Sequence, residues 1–452
     1  MAIATLLLAG GSRANNVVLV ENGVAKTPIV ICEDAPPFTR RAADELALYI
    51  EKISGAKPNI IEGKPDPIPE HAVWVGCQPV MDDLFPGVDF NFQHPEEILI
   101  AANGNHLVIA GRDRWDPENL TIRMRRGEVH GVQKEYGTVN AVYTFLQDYL
   151  DVRWIWPGPL GEDVVTRQTI AFEPFEYRYH PQIRARGGVL TYSRLGRGGY
   201  GRSQRWSRFQ RLQLDSLETL GGHGFGDWFE KFHETHPEYF ALQPDGTRSG
   251  YPNPGRTKMC LSNPELWEQW LETNVEAELS RNPLRQLFDA SENDSWASGY
   301  CVCEDCTGWD HPEGELRTFR WAGVAQQYVA MSDRQVTFAN QLARRLKQQY
   351  PDKEYYVRIM AYGHSRPPPV EAVPDDNVIV ASVALFLLTP DRADRGSPQG
   401  TLHREQFQGW ADVTSNMMWR PNKSRRMVSM PHIPLRRTIK DFRFAAENNC
   451  IG

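Results

Sequence analysis

At 452 residues, with 41% hydrophobic and 24% charged residues, the chain has the make-up of a globular protein of two or three domains and not of a disordered or fibrous one. Its net charge of -7 argues against a nucleic-acid footprint, and no apolar run approaches the ~20 residues that span a bilayer as a helix. Thirteen Trp and sixteen Tyr are many for this length, and aromatic planes suit sugar faces as well as cores.

Residues 1–14 hold an apolar stretch, Ala2–Ala9, that runs into Ser12-Arg13-Ala14. This resembles the apolar region and cleavage site of a secretory signal without its basic leader, so we expect a secreted or periplasmic protein. A first β-strand, with a cytoplasmic location, is the other reading of the same residues. Seven cysteines, an odd number in a long chain, do not describe a disulfide framework.

Residues 15–177 read as a small, sandwich-like α/β domain. Short strands at Val17–Val20 and Pro28–Cys32 flank an Asn22-Gly23 turn. Apolar residues at spacings of three and four predict a helix over Phe38–Ile53, closed by Gly55. A strand at Ala72–Val75 follows, then a hairpin of Ile98–Ala101 and Leu107–Ala110 across Asn103-Gly104, then a helix over Val139–Leu150. This alternation implies a sheet with helices on one face. The Arg- and Gly-rich stretch of residues 178–211 reads as a solvated linker, and its Gly196–Gly199 lacks the lysine and serine of a phosphate-binding loop.

Residues 178–452 alternate short apolar runs with helices. The runs are Arg186–Leu190, Lys258–Leu261, Gln286–Ala290, Tyr355–Ala361, Val378–Leu385 and Asn416–Trp419. The helices include Pro264–Leu279, Ser332–Tyr350, His403–Val413 and Thr438–Asn448. The pattern predicts a parallel sheet, best closed as a (β/α)8 barrel. With a further strand near Leu220–Phe225, the Gln286 run is the fourth strand and Cys450–Gly452 begins the eighth, so the sequence reads as stopping within the barrel.

The polar cluster that follows the fourth run, Asp289 to Asp294, sits where α/β folds keep their chemistry. Glu292 and Asp294 share one face if the chain stays extended, a pair able to divide acid and base roles. Cys301, Cys303 and Cys306 follow at the spacing of a metal knuckle, and Cys260 is a candidate fourth thiolate for a structural zinc. A disulfide from Cys260 or free thiols are the alternatives, and His311 is a weaker ligand candidate. His223 lies among glycines that admit a ligand. Tyr362 and Trp419 end predicted strands and could stack on a sugar, and His364 and Arg366 could meet an acidic one. Ser291 lacks the Gly-x-Ser-x-Gly setting of a serine hydrolase.

The strings His236–Leu242 (HPEYFAL), Cys260–Glu265 (CLSNPE), Glu292–Asp294 and Tyr300–Cys306 (YCVCEDC), with Ala361–Gly363 and Asp376–Val380, resemble the domain of unknown function family 4838. Arg41–Leu46 and Ile53–Ala56 are similar to the α/β domain that precedes the barrel in α-glucuronidases and β-hexosaminidases. The resemblance implies a glycoside-hydrolase barrel, Asp294 as the indispensable carboxylate, and a further glutamate beyond the strand that starts at Ile451. The expected function is hydrolysis of a glycan at an N-acetylhexosamine linkage. Asp294 and Glu292 would act as acid and polarising partner, and His223, Asn293, Tyr362 and Trp419 would bind the sugar, with no catalytic cofactor. A non-catalytic carbohydrate-binding protein, an inactive fragment and an α-glucuronidase are the rival readings.

Overall fold

The computed structural model describes residues 16–115, 123–125, 128–130, 133–186, 205–212, 217, 223–251, 253–294, 299–384, 398–421 and 435–452. The leader-like residues 1–14, Gly196–Gly199, most of the Arg186–Leu190 run and the first part of the stretch near Leu220–Phe225 lie outside them. The chain divides into two compact units, one of residues 1–181 and 186–215 and one of residues 182–185 and 216–452. Among the described residues no helix is long and apolar enough to cross a membrane.

In the first unit six strands form one sheet: β1 (Ile29–Ile31), β2 (Ile60–Glu62), β3 (Ala72–Val75), β4 (Ile98–Ala102), β5 (His106–Gly111) and β6 (Phe175–Tyr179). Their spatial order is β6-β4-β5-β3-β1-β2. The β4–β5 pair is the antiparallel hairpin that Asn103-Gly104 predicts, with Gly104 at φ 95°, where glycine avoids the cost of a Cβ. Helices α1 (Pro37–Ser54) and α2 (Gly137–Asp148) pack against the sheet, and their apolar faces join Ile29, Val73, Ile100 and Ile109 in one core. On the opposite face Trp74, Leu99 and Val108 are covered by Met81 and Phe85. Every residue of β4 and β5 is therefore buried.

In the second unit α3 (Pro264–Trp270) leads to β7 (Leu287–Asp289). Then come α4 (Ser332–Gln349), β8 (Tyr356–Ala361), β9 (Val378–Ser382), α5 (Pro398–Ala411), β10 (Met417–Trp419) and α6 (Leu435–Glu447). The four strands lie parallel in the order β7-β8-β9-β10. Alternation along them sorts the side chains. Phe288, Val357, Ile359, Val378, Val380 and Met417 join Phe338, Leu342 and Phe407 of the helices. Leu287, Met360, Ile379, Ala381 and Met418 gather on the other face. The expected start of a further strand at Cys450–Gly452 pairs parallel with Met417 through Cys450, and Arg184 N–H and Ala185 N–H donate to the Ile451 carbonyl. At the other edge Gly224 N–H donates to the Ser291 carbonyl at 2.9 Å.

Among the described residues the sheet does not close into a barrel, and one expected strand belongs elsewhere. The Lys258–Leu261 run pairs antiparallel with the 239–241 segment: Met259 bridges Phe240, and Cys260 N–H donates to the Tyr239 carbonyl at 2.8 Å. A four-residue apolar run is satisfied by burial in either setting, so its pattern does not choose between them. A second antiparallel hairpin, Leu316–Trp321 with Val324–Val329, turns at Ala322-Gly323, both at positive φ. The strand Val324–Val329 has no buried residue, so it lacks the alternation that marks a half-buried strand.

A Cβ on Gly224 would meet the Asp289 carbonyl oxygen at 2.4 Å, whereas one on Gly226 meets nothing within 4 Å. Gly224→Ala is therefore expected to destabilise the second unit by about 1–3 kcal/mol, and Gly226→Ala to cost far less. Chemical denaturation of the two variants beside the wild type checks this difference.

Candidate active site

The chain leaving β7 is fixed before it reaches the acidic residues. The Asp289 carboxylate accepts from Ser291 N–H at 2.8 Å and pairs with Arg358 of β8. The Asp289 carbonyl accepts from the Trp270 indole at 3.0 Å. Asn274, in a wide helical turn over Leu271–Glu276, donates to the Gly224 carbonyl at 2.8 Å. Continuing from this anchor, Glu292, Asn293 and Asp294 enter an open cleft at the carboxyl ends of β7 and β8. His223, Lys258, Tyr300, Met331, Gln335, Met360, Tyr362 and His364 also line it.

The two carboxylates differ in setting. Glu292 is half-buried, and both its oxygens are engaged: Oε1 accepts from Met259 N–H at 3.2 Å and Oε2 from the Gln335 amide at 2.9 Å. Asp294 is exposed. Buried between elements is Lys258, whose ammonium donates to the Asn293 carbonyl and stands 4.7 Å from the Tyr300 ring centroid. Burial pulls the Lys258 ammonium below its ordinary range, and the charges of Glu292 and Asp294 hold it up. Burial, aided by Glu292, pushes the Tyr300 phenol up. Burial, with Arg317 and Lys258 nearby, lowers His364 to about 4, so its imidazole is neutral at pH 7.

His223 lines the cleft. Its Nδ1 lies 2.5 Å from the Glu292 carbonyl, which can only accept, so Nδ1–H donates to it. Tyr362 also lines the cleft. Asn293 is buried and donates both side-chain N–H groups to the Phe225 and Thr257 carbonyls at 3.0 and 2.9 Å, so its amide nitrogen braces the wall and is not offered to a sugar. Trp419 does not line the cleft. Alternation turns it to the same side as Met417, where its ring meets Phe442 at 5.3 Å and its indole donates to the Ala384 carbonyl.

Lys258, Tyr300 and Gln335 were not singled out by sequence reasoning. Lys258 stands in an otherwise apolar run, and Gln335 belongs to a first helical turn, Ser332–Gln335, that is polar yet entirely buried. A charge or amide in such a place needs partners, and that is the signal they offered.

The four predicted cysteines come together. Their Sγ atoms all lie within 4.8 Å of one another, and Cys260, Cys301 and Cys306 are buried. No disulfide joins any two of them, with Cys260–Cys303 at 3.7 Å and Cys301–Cys303 at 3.4 Å, far beyond the ~2.05 Å of an S–S bond. His311 instead approaches Glu371 at 3.9 Å.

A family model described as "Domain of unknown function (DUF4838)" matches residues 156–452. No curated protein matches the chain. Among solved structures the chain is similar to a family GH115 4-O-methyl-α-glucuronidase with specificity for decorated arabinogalactans. That match has 12% identity over 95% of this chain and 57% of the other, with a TM-score of 0.46. It is also similar to a Flavobacterium johnsoniae chitobiase, at 12% identity over 90% and 58% with a TM-score of 0.40. A Streptomyces plicatus N-acetyl-β-hexosaminidase matches at 10% identity over 89% and 72%, with a TM-score of 0.34. The chain spans less than two thirds of the length of the first two of these proteins.

The depressed His364 makes a pH prediction. Between about pH 6.5 and pH 4 the unfolded chain binds a proton at this residue and the folded chain does not. Stability is therefore expected to fall as pH drops through that window, by up to about 3 kcal/mol from this group. His364→Gln removes that part of the slope, as denaturation at pH 7 and pH 4 measures. An identical slope in the variant contradicts it.

Proposed function

This chain belongs to the DUF4838 family, and on that premise we propose that its second unit hydrolyses a glycosidic bond in a glycan, at an N-acetylhexosamine residue. One observation carries the reading: Glu292 and Asp294 line one open cleft, the first with both oxygens held and the second reachable from solvent. Asp294 in its acid form gives its proton to the glycosidic oxygen, which leaves with the bonding electron pair. Glu292, fixed by Met259 N–H and Gln335, faces the positive charge that grows at the anomeric carbon. Water then bonds to that carbon and gives its proton to the Asp294 carboxylate, or the substrate's acetamide oxygen bonds first and water, losing its proton to Asp294, opens the resulting oxazolinium ring. Lys258 offsets the negative charge of the two carboxylates while it braces the Asn293 backbone. Tyr362 supplies a ring for a sugar face, and Met331 and Met360 supply an apolar wall for an acetamide methyl.

The parallel strands fit as part of a (β/α)8 barrel, since the 450–452 segment and residues 184–185 add beside β10 in turn. The sheet-and-two-helix first unit suits the domain that precedes such barrels. A uronic-acid substrate is the second reading, favoured by Lys258 and His364 in the cleft with Arg366 beside Tyr362. It is the weaker one. The Lys258 ammonium is already committed to Asn293 and two carboxylates, and His364 is neutral.

Digestion of an N-glycan panel and of aryl N-acetylhexosaminides tests the proposal. Asp294→Asn should lower kcat by about 10²-fold or more, as expected when a general acid is removed, and Glu292→Gln should also lower it. Glycan binding by both the wild type and Asp294→Asn, with no turnover by either, favours the carbohydrate-binding rival. Turnover unchanged in Asp294→Asn removes that residue from the mechanism.

A further inference from the structure

The cysteine cluster does not take part in the proposed chemistry, yet its geometry is specific. Cys260 follows Met259, which bridges antiparallel to Phe240, and Cys301, Cys303 and Cys306 come from a loop some forty residues on. In a tetrahedron with metal–sulfur bonds of about 2.3 Å, sulfurs stand about 3.8 Å apart. Here Cys260 lies 3.7 Å from Cys303 and 3.9 Å from Cys306, and Cys301 lies 3.4 Å from Cys303. Four thiols packed for volume alone have no reason to aim their sulfurs at one point.

The surroundings suit thiolates. Leu242 N–H donates to Cys301 Sγ at 3.3 Å and Ser262 N–H to Cys306 Sγ at 3.4 Å. Such N–H···S bonds orient ligands and spread their charge. A zinc ion with four thiolates carries two net negative charges, and the Arg248 guanidinium interacts with Cys260 and, through its charge, with Cys301 and Cys303. Sulfur-only tetrahedral ligation with no open position is the pattern of a structural zinc and leaves no vertex for a substrate.

We propose that Cys260, Cys301, Cys303 and Cys306 bind one structural zinc ion that clamps two walls of the cleft. Lys258 precedes Cys260 by two residues and Tyr300 precedes Cys301 by one, and both line the cleft. Met259, between Lys258 and Cys260, donates its N–H to Glu292. Arg334 reinforces the same loop by donating to the Cys301 carbonyl at 2.8 Å while it is paired with Asp310. The metal thus holds the Lys258 and Tyr300 segments together without touching substrate. The proposal does not depend on the glycosidase reading.

Elemental analysis of the purified full chain, made without added metal, is the test. One zinc per chain is expected, released by an organomercurial as the thiols are titrated. Cys306→Ser should bind less than a tenth of that zinc and unfold at a lower temperature, whereas Cys77→Ser, at an exposed cysteine outside the cluster, keeps a full complement. Because Cys306→Ser can fail to fold, stripping the wild type with a chelator gives a second measure. Loss of zinc should lower Tm, and added zinc should restore it. A metal-free chain with every thiol reactive, a mass lower by one or two disulfides, or iron in place of zinc each overturns the proposal.

Discussion

The constraint on which the second unit depends is the fixing of Asp289 at the end of β7. Its half-buried carboxylate pairs with Arg358 on the neighbouring strand, whose buried guanidinium would be costly without a counter-charge. Its other oxygen turns back to Ser291 N–H, which ends the strand and sets the direction of the next residues. Its carbonyl is held from the helical layer by Trp270. One residue is thus held from the neighbouring strand, from its own turn and from the covering helix. The residues that follow inherit that rigidity, which is what a site needs if carboxylates are to meet a substrate at fixed positions.

From this anchor the electrostatic division of the cleft follows. Glu292 points at donors from two other segments, Met259 N–H and the Gln335 amide, so its orientation is set by groups distant in sequence. Asp294, two residues later, has left the anchored part and is open to solvent. The buried Lys258 lies between these acids and the Asn293 backbone, so the charge needed beside two carboxylates also serves as a structural tie. Such double use is economical in a cavity where each unmatched charge is penalised by desolvation.

Local pattern made much of this legible. The helices at Pro37–Ser54 and Ser332–Gln349, the Asn103-Gly104 hairpin and the strands at Tyr356–Ala361 and Val378–Ser382 follow from periodicity, turn chemistry and punctuation. The acidic cluster was visible because polar residues rarely crowd the end of an apolar run without reason. Contacts between distant segments were not visible. Lys258 looked like a strand residue because its partners, Asn293 and Tyr300, are 35 and 42 positions away. The antiparallel pairing of Met259 with Phe240 depends on burial shared across the fold, not on anything within four residues. Trp419 was assigned by its place at a strand end, but strand position and strand face are separate questions, and alternation from Met417 answers the second.

The cysteines illustrate the complementary case, in which spacing is local and meaning is not. The spacing of Cys301, Cys303 and Cys306 was readable, while Cys260 joined them only because the chain around Met259 folds back onto the 239–241 segment. That same fold-back brings Met259 N–H to Glu292 and Lys258 to the cleft. The pairing that departs from a regular barrel strand is therefore what unites the thiols with the acidic wall. Lys258 lines the cleft and Cys260, two residues on, meets Cys303 and Cys306, so one short extended segment serves both the cleft and the thiol cluster.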